Sequence, residues 1–193
     1  MDIDPVHQWT IFALWDSLTE WYGIDIKDAY PEQLENILLN KWYWYTVINW
    51  WKSWEISSWL LANLDQLIVE SKPGDIAIVV IWANDGLRSL SLEVMEKNIG
   101  AIIEHLQKKN IQVILGWMKI PKSLITTYWK EFTKVYPILA KRYDIPLIPF
   151  FLQGVAGRSS LNLPDRMHPN KDGYDIIANN VARFLIRKWI VQQ

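Results

Sequence analysis

Five short apolar runs alternate with five longer amphipathic segments, and this alternation limits the fold more than any other feature of the chain. Residues 10–14, 45–49, 76–81, 111–116 and 146–149 are rich in β-branched residues and apolar on both faces. Strands covered by helices on both sides have this pattern. The segments between them carry helical periodicity. Residues 31–40 place Leu34, Ile37 and Leu38 on one face, and residues 57–70 repeat Leu60, Leu61, Leu64, Leu67 and Ile68. Residues 91–109 open on a serine cap with Glu93 in the first turn and continue through Val94, Ile99, Ile102, Ile103 and Leu106. Residues 125–142 and 171–191 complete the series. The order β-α-β-α-β-α-β-α-β-α predicts a three-layer α/β fold: a five-stranded parallel sheet, right-handed crossovers and helices on both faces. The expected strand order is 2-1-3-4-5. At 193 residues the whole chain, 1–193, reads as one domain.

Charge and composition exclude several functions. The formal net charge is −1, and no basic run is present, which argues against nucleic acid as the main partner. The chain has no cysteine, so disulfides and thiolate metal sites are impossible. Its three histidines are far apart in sequence, and no metal or cofactor is expected. No apolar run approaches the roughly 20 residues of a membrane span, so stable membrane insertion is not expected. Residues 1–8 lack the basic start and apolar middle of a secretion signal. A monomer acting on a small molecule is the expected working form.

In parallel α/β sheets, ligands bind beyond the carboxyl ends of the strands. Four polar segments fall there. Asp16-Ser17 follows the first strand, Ser53-Trp54-Glu55 the second, Asn84-Asp85-Gly86 the third, and Asp165-Arg166-Met167-His168 lies in the long loop after the fifth. Serine becomes a nucleophile when a base takes its proton and a third group orients that base. Ser17, His168 and Asp165 supply those three types. Backbone N–H groups at Ser17 and Trp54 and the side-chain amide of Asn84 could bind a developing oxyanion. Alone, each segment has a plain structural reading: Asp16-Ser17 as a turn or helix cap, Asn84-Asp85-Gly86 as a turn, Asp165 to Asn170 as a helix entry. His105 reads as an exposed helix residue, and His7 as a residue without a role. Order and placement after successive strands favour the catalytic reading.

With these segments in place the chain resembles the SGNH (GDSL) hydrolase family, most closely its small bacterial branch of lysophospholipases, thioesterases and arylesterases. The resemblance runs through residues 12–22, 47–64, 81–87 and 165–170, and extends to 118–121, 136–137, 139–141 and 146–151. It implies a flavodoxin-like fold without a metal and hydrolysis of carboxylic esters or thioesters through an acyl-Ser17 intermediate. By the resemblance His168 is the base and Asp165 its partner. The oxyanion donors are the N–H of Ser17, the N–H of residue 54 and Asn84, with Asp16 and Asp85 in supporting places.

The resemblance breaks at tryptophan. The chain has thirteen tryptophans and eight glycines, the reverse of ordinary usage. Trp15, Trp21, Trp54, Trp59, Trp82 and Trp117 stand where the family has glycine. A side chain forced to positive φ costs about 1–2 kcal/mol, and overpacking a turn costs roughly 1–3 kcal/mol more. Six such changes rival a whole domain's stability of about 5–15 kcal/mol. Two readings follow. Either these positions are UGA codons that the source cell reads as glycine, or the tryptophans are real and the chain is an impaired pseudoenzyme or binding module. Trp42, Trp44, Trp129 and Trp189, outside the blocks, read as ordinary core or interface residues.

Overall fold

The structure, a computed structural model, describes residues 9–15, 24–50, 56–81, 85, 91–119 and 127–191, with Trp15, Thr127 and Trp129 described by backbone alone. Five strands, β1 (Trp9–Trp15), β2 (Tyr45–Trp50), β3 (Ile76–Val80), β4 (Gln112–Gly116) and β5 (Leu147–Ile148), form one sheet in the order β2-β1-β3-β4-β5. Every pairing is parallel. The order and direction agree with the expectation from the sequence.

Burial explains why these runs form strands. Ile11, Phe12, Ala13 and Leu14 of β1 and all five residues of β3 are buried, so the central strands have no solvent face. β5 covers only Leu147 and Ile148, less than the expected 146–149, because each flanking proline lacks an N–H to donate to the ladder. At the amino end of the sheet, buried Asp75 accepts the N–H of Thr10 at 2.7 Å and of Lys72 at 2.8 Å, and its own carbonyl accepts the N–H of Gln112. It thereby holds the entries of β1, β3 and β4 in register.

The helices are α1 (Tyr30–Leu39), α2 (Ser57–Leu67), α3 (Leu92–Lys108), α4 (Thr127–Arg142) and α5 (Lys171–Arg187). α1 packs on α5, whereas α2 packs on α3 and α3 on α4. Because strands are added on one side of β1 up to β2 and on its other side from β3 onward, right-handed crossovers place these two groups of helices on opposite faces. Pro31 and Glu32 favour the start of α1, which buries Leu34 and Leu38. The Ser91 side chain caps α3 by accepting the Val94 N–H at 3.1 Å, as its sequence suggested. Asn170 caps α5 through the Gly173 N–H.

Two expected helix ends fall elsewhere. α2 stops at Leu67 instead of Glu70, and α5 stops at Arg187 instead of Val191. Short 3₁₀ turns at Ile26–Asp28 and Ser159–Leu161 had no distinct sequence signal. Among the described residues no helix is long and apolar enough to cross a membrane.

Candidate active site

The carboxyl ends of β1, β2 and β3 lie side by side. Leu14 pairs with Trp50, and Trp15 pairs with Val80. The segments carrying Asp16 and Ser17, Trp54, and Asn84 leave from these adjacent strand ends. Those four residues, with Trp21 and Trp82, lie outside the described residues. The buried hydroxyl of Tyr136 on α4 donates to the Ile81 carbonyl and pins the end of β3.

Asp85 connects two of these segments. It is fully buried, and its carboxylate accepts the backbone N–H of Ser57 at 2.9 Å and the Ser57 hydroxyl at 2.5 Å. Asn98 of α3 donates to the same hydroxyl oxygen at 2.9 Å. The carboxylate therefore sits at the amino end of α2, where unsatisfied N–H groups and the helix dipole favour negative charge. Residue 54 lies three positions before Ser57 and Asn84 one before Asp85, so the contact ties the second segment to the third. Burial, and then the Asp85 charge, push the Tyr128 phenol above its ordinary pKa. Ser57 and Asn98 were not singled out in the sequence. A serine at a helix start is too common to mark a tertiary contact.

The loop between β5 and α5 carries Asp165 and His168, and the structure brings the two together. His168 Nδ1 lies 2.6 Å from Asp165 Oδ2. The other carboxylate oxygen accepts the N–H of Met167 at 2.8 Å and of His168 at 3.0 Å. Three residues of separation permit this because Arg166 adopts φ 60°, turning the chain back on itself. Around the turn, the Leu163 N–H donates to the His168 carbonyl at 2.7 Å and the Asn170 N–H to the Leu161 carbonyl at 3.0 Å. Asn162 spans the loop base by donating to the carbonyls of Val155 and Arg158. Gly173 in the first turn of α5 sits so close that a Cβ there would meet the Leu161 carbonyl and Pro169.

The histidine side chain is 14% exposed and the aspartate 34%. Burial pushes the Asp165 carboxyl up, but the His168 ring and the two N–H groups outweigh it and hold it below the usual range. A neutral imidazole that donates from Nδ1 to a carboxylate presents Nε2 as a base.

His105 is partly buried on α3, less exposed than expected, with Nε2 2.9 Å from Asp65. His7 lies outside the described residues. Among the described residues no group of three His, Cys, Asp or Glu side chains could hold a metal ion. Of the tryptophans that stand at glycine positions of the resembled family, Trp59 and Trp117 are described with their side chains and Trp15 by backbone alone. Trp59 lies half-buried in α2, and the Trp117 indole donates to the Thr133 carbonyl at 2.8 Å with the Lys119 ammonium 4.2 Å above its ring.

The chain is similar to known proteins over most of its length. The profile of the GDSL-like lipase/acylhydrolase family matches residues 13–176. An arylesterase of Vibrio mimicus is 30% identical over 177 residues, covering 92% of this chain and 88% of the relative. Thioesterase 1/protease 1/lysophospholipase L1 of Escherichia coli K12 is 31% identical over 177 residues, covering 91% and 83%. The crystal structure of the psychrotrophic esterase EstA from Pseudoalteromonas sp., inhibited by monoethylphosphonate, superposes with a TM-score of 0.85 at 29% identity, covering 93% of this chain and 97% of that one.

Proposed function

From the premise that this chain belongs to the GDSL-like lipase/acylhydrolase family, we propose that it hydrolyses small-molecule carboxylic esters or thioesters as a monomer, through an acyl-Ser17 intermediate. The carrying observation is the Asp165–His168 pair, held at 2.6 Å in the loop after β5.

The residues then divide the reaction between them. The Ser17 hydroxyl attacks the acyl carbon and gives its proton to His168 Nε2. Asp165 holds the ring in the correct tautomer and stabilises its positive charge. The oxyanion is met by the N–H groups of Ser17 and residue 54 and by the Asn84 amide. The imidazolium protonates the departing alkoxide or thiolate. Water, deprotonated by the same ring, releases the acid and restores Ser17. Asp16 and Asp85 support the turns. The relatives named arylesterase and thioesterase/lysophospholipase support the ester and thioester classes together. The contrary reading, an impaired binding module, depends on the tryptophans at 54 and 82, where an indole would crowd the oxyanion donors.

Turnover of a short-chain p-nitrophenyl ester tests the assignment. Ser17→Ala should abolish it, and Asn84→Ala should lower kcat by about 10²–10³-fold. Full activity in either variant would refute the role given to that residue.

A further inference from the structure

Four helices end alike. Past α1, α3, α4 and α5 an N–H reaches the carbonyl five residues back: Tyr43 to Leu38 at 3.0 Å, Ile111 to Leu106 at 3.1 Å, Ile145 to Ala140 at 3.0 Å and Ile190 to Leu185 at 3.0 Å. The residue before each donor is left-handed: Trp42 at φ 65°, Asn110 at 57°, Asp144 at 50° and Trp189 at 55°. This closure usually has glycine at the left-handed position, because a Cβ there crowds the neighbouring carbonyl. Asparagine and aspartate tolerate it; a bulky ring does not.

Burial offers no compensation at either tryptophan. Trp42 is 69% exposed and Trp189 is 87% exposed, so neither is a core residue, contrary to one of the readings from sequence. Trp42 meets Trp44 edge-on, a contact between two surplus tryptophans.

We infer that positions 42 and 189 are glycine in the polypeptide the source cell makes, each encoded by a UGA codon that the cell reads as glycine. UGA differs from the glycine codon GGA by one base. A recoded codon is blind to location, and the same substitution then occurs in catalytic turns and at exposed helix ends alike. An aromatic docking patch has no reason to select the two helix ends whose backbone requires φ above zero. Trp59 and Trp117 carry no such signature: neither has positive φ. The inference stands on backbone geometry and does not rest on the esterase reading. It does extend to that reading, since a glycine at 54 would leave the proposed oxyanion N–H uncovered.

Codons 42 and 189 in the coding DNA, together with peptide masses of the protein purified from its own cells, decide the matter. The expected result is UGA at both codons and the residue mass of glycine in both peptides. UGG at either codon, or tryptophan in either peptide, overturns the inference. A second measurement tests the geometry itself. In a chain made with tryptophan at both sites, Trp42→Gly and Trp189→Gly should each raise Tm by about 2–8 °C. Alanine keeps a Cβ, so Trp42→Ala and Trp189→Ala should gain less. Equal gains from alanine and glycine would assign the effect to loss of an exposed ring and overturn the backbone argument.

Discussion

The Asp165 carboxylate takes three hydrogen bonds within one turn, and its chemistry is set by that turn. Asp165→Asn should leave the loop close to its present shape and lower kcat roughly 10⁴-fold, by weakening control of the histidine tautomer. The carboxyl is held below its ordinary pKa in the folded chain. Its stabilisation is therefore fully present above the unfolded value, near about 4, and is lost as pH falls through the lower folded value. The Tm difference between the parent and Asp165→Asn should narrow as pH falls below about 4. A difference that persists unchanged at about pH 2 would contradict the linkage. The pairing of Asp165 and His168 was legible because their spacing lets one turn bring them together. The φ of Arg166 was not, since arginine gives no sign of a left-handed residue.

At the scale of elements, the amino end of α2 depends on a residue from another segment. Asp85→Ala would leave the Ser57 N–H and hydroxyl buried without their acceptor, at a cost of about 2–3 kcal/mol. It should also lower kcat more than it raises KM, because the carboxylate that holds the start of α2 belongs to the residue next to the proposed oxyanion donor Asn84. Chemical denaturation and steady-state kinetics on the variant check both. Unchanged stability would remove Asp85 from this role. Helix starts were readable from Ser91 and Pro31, whose cap and first-turn positions have local causes. Helix ends were less so. The end of α5 was placed four residues late because Trp189 reads as one more apolar residue, where glycine would have announced the stop.

Over the whole molecule, the parallel direction followed from alternation, because β1 and β3 are apolar on both faces and each crossover has one handedness, and the strand order followed from alternation together with the convergence of four polar segments on one sheet edge. Contacts between distant segments, such as Asp75 with Thr10 and Asp85 with Ser57, have no local pattern and needed the three-dimensional arrangement. The central claim is that this sheet end holds a serine activated by His168. Its most direct test is treatment of the protein, purified from its own cells, with a reactive monoethyl phosphonate ester, followed by peptide mapping. The expected result is one phosphonyl group per chain, on the Ser17 hydroxyl, with loss of ester turnover in proportion to labelling and no adduct in His168→Ala on the same timescale. Stoichiometric labelling at another residue, or full turnover after Ser17 is blocked, would contradict it.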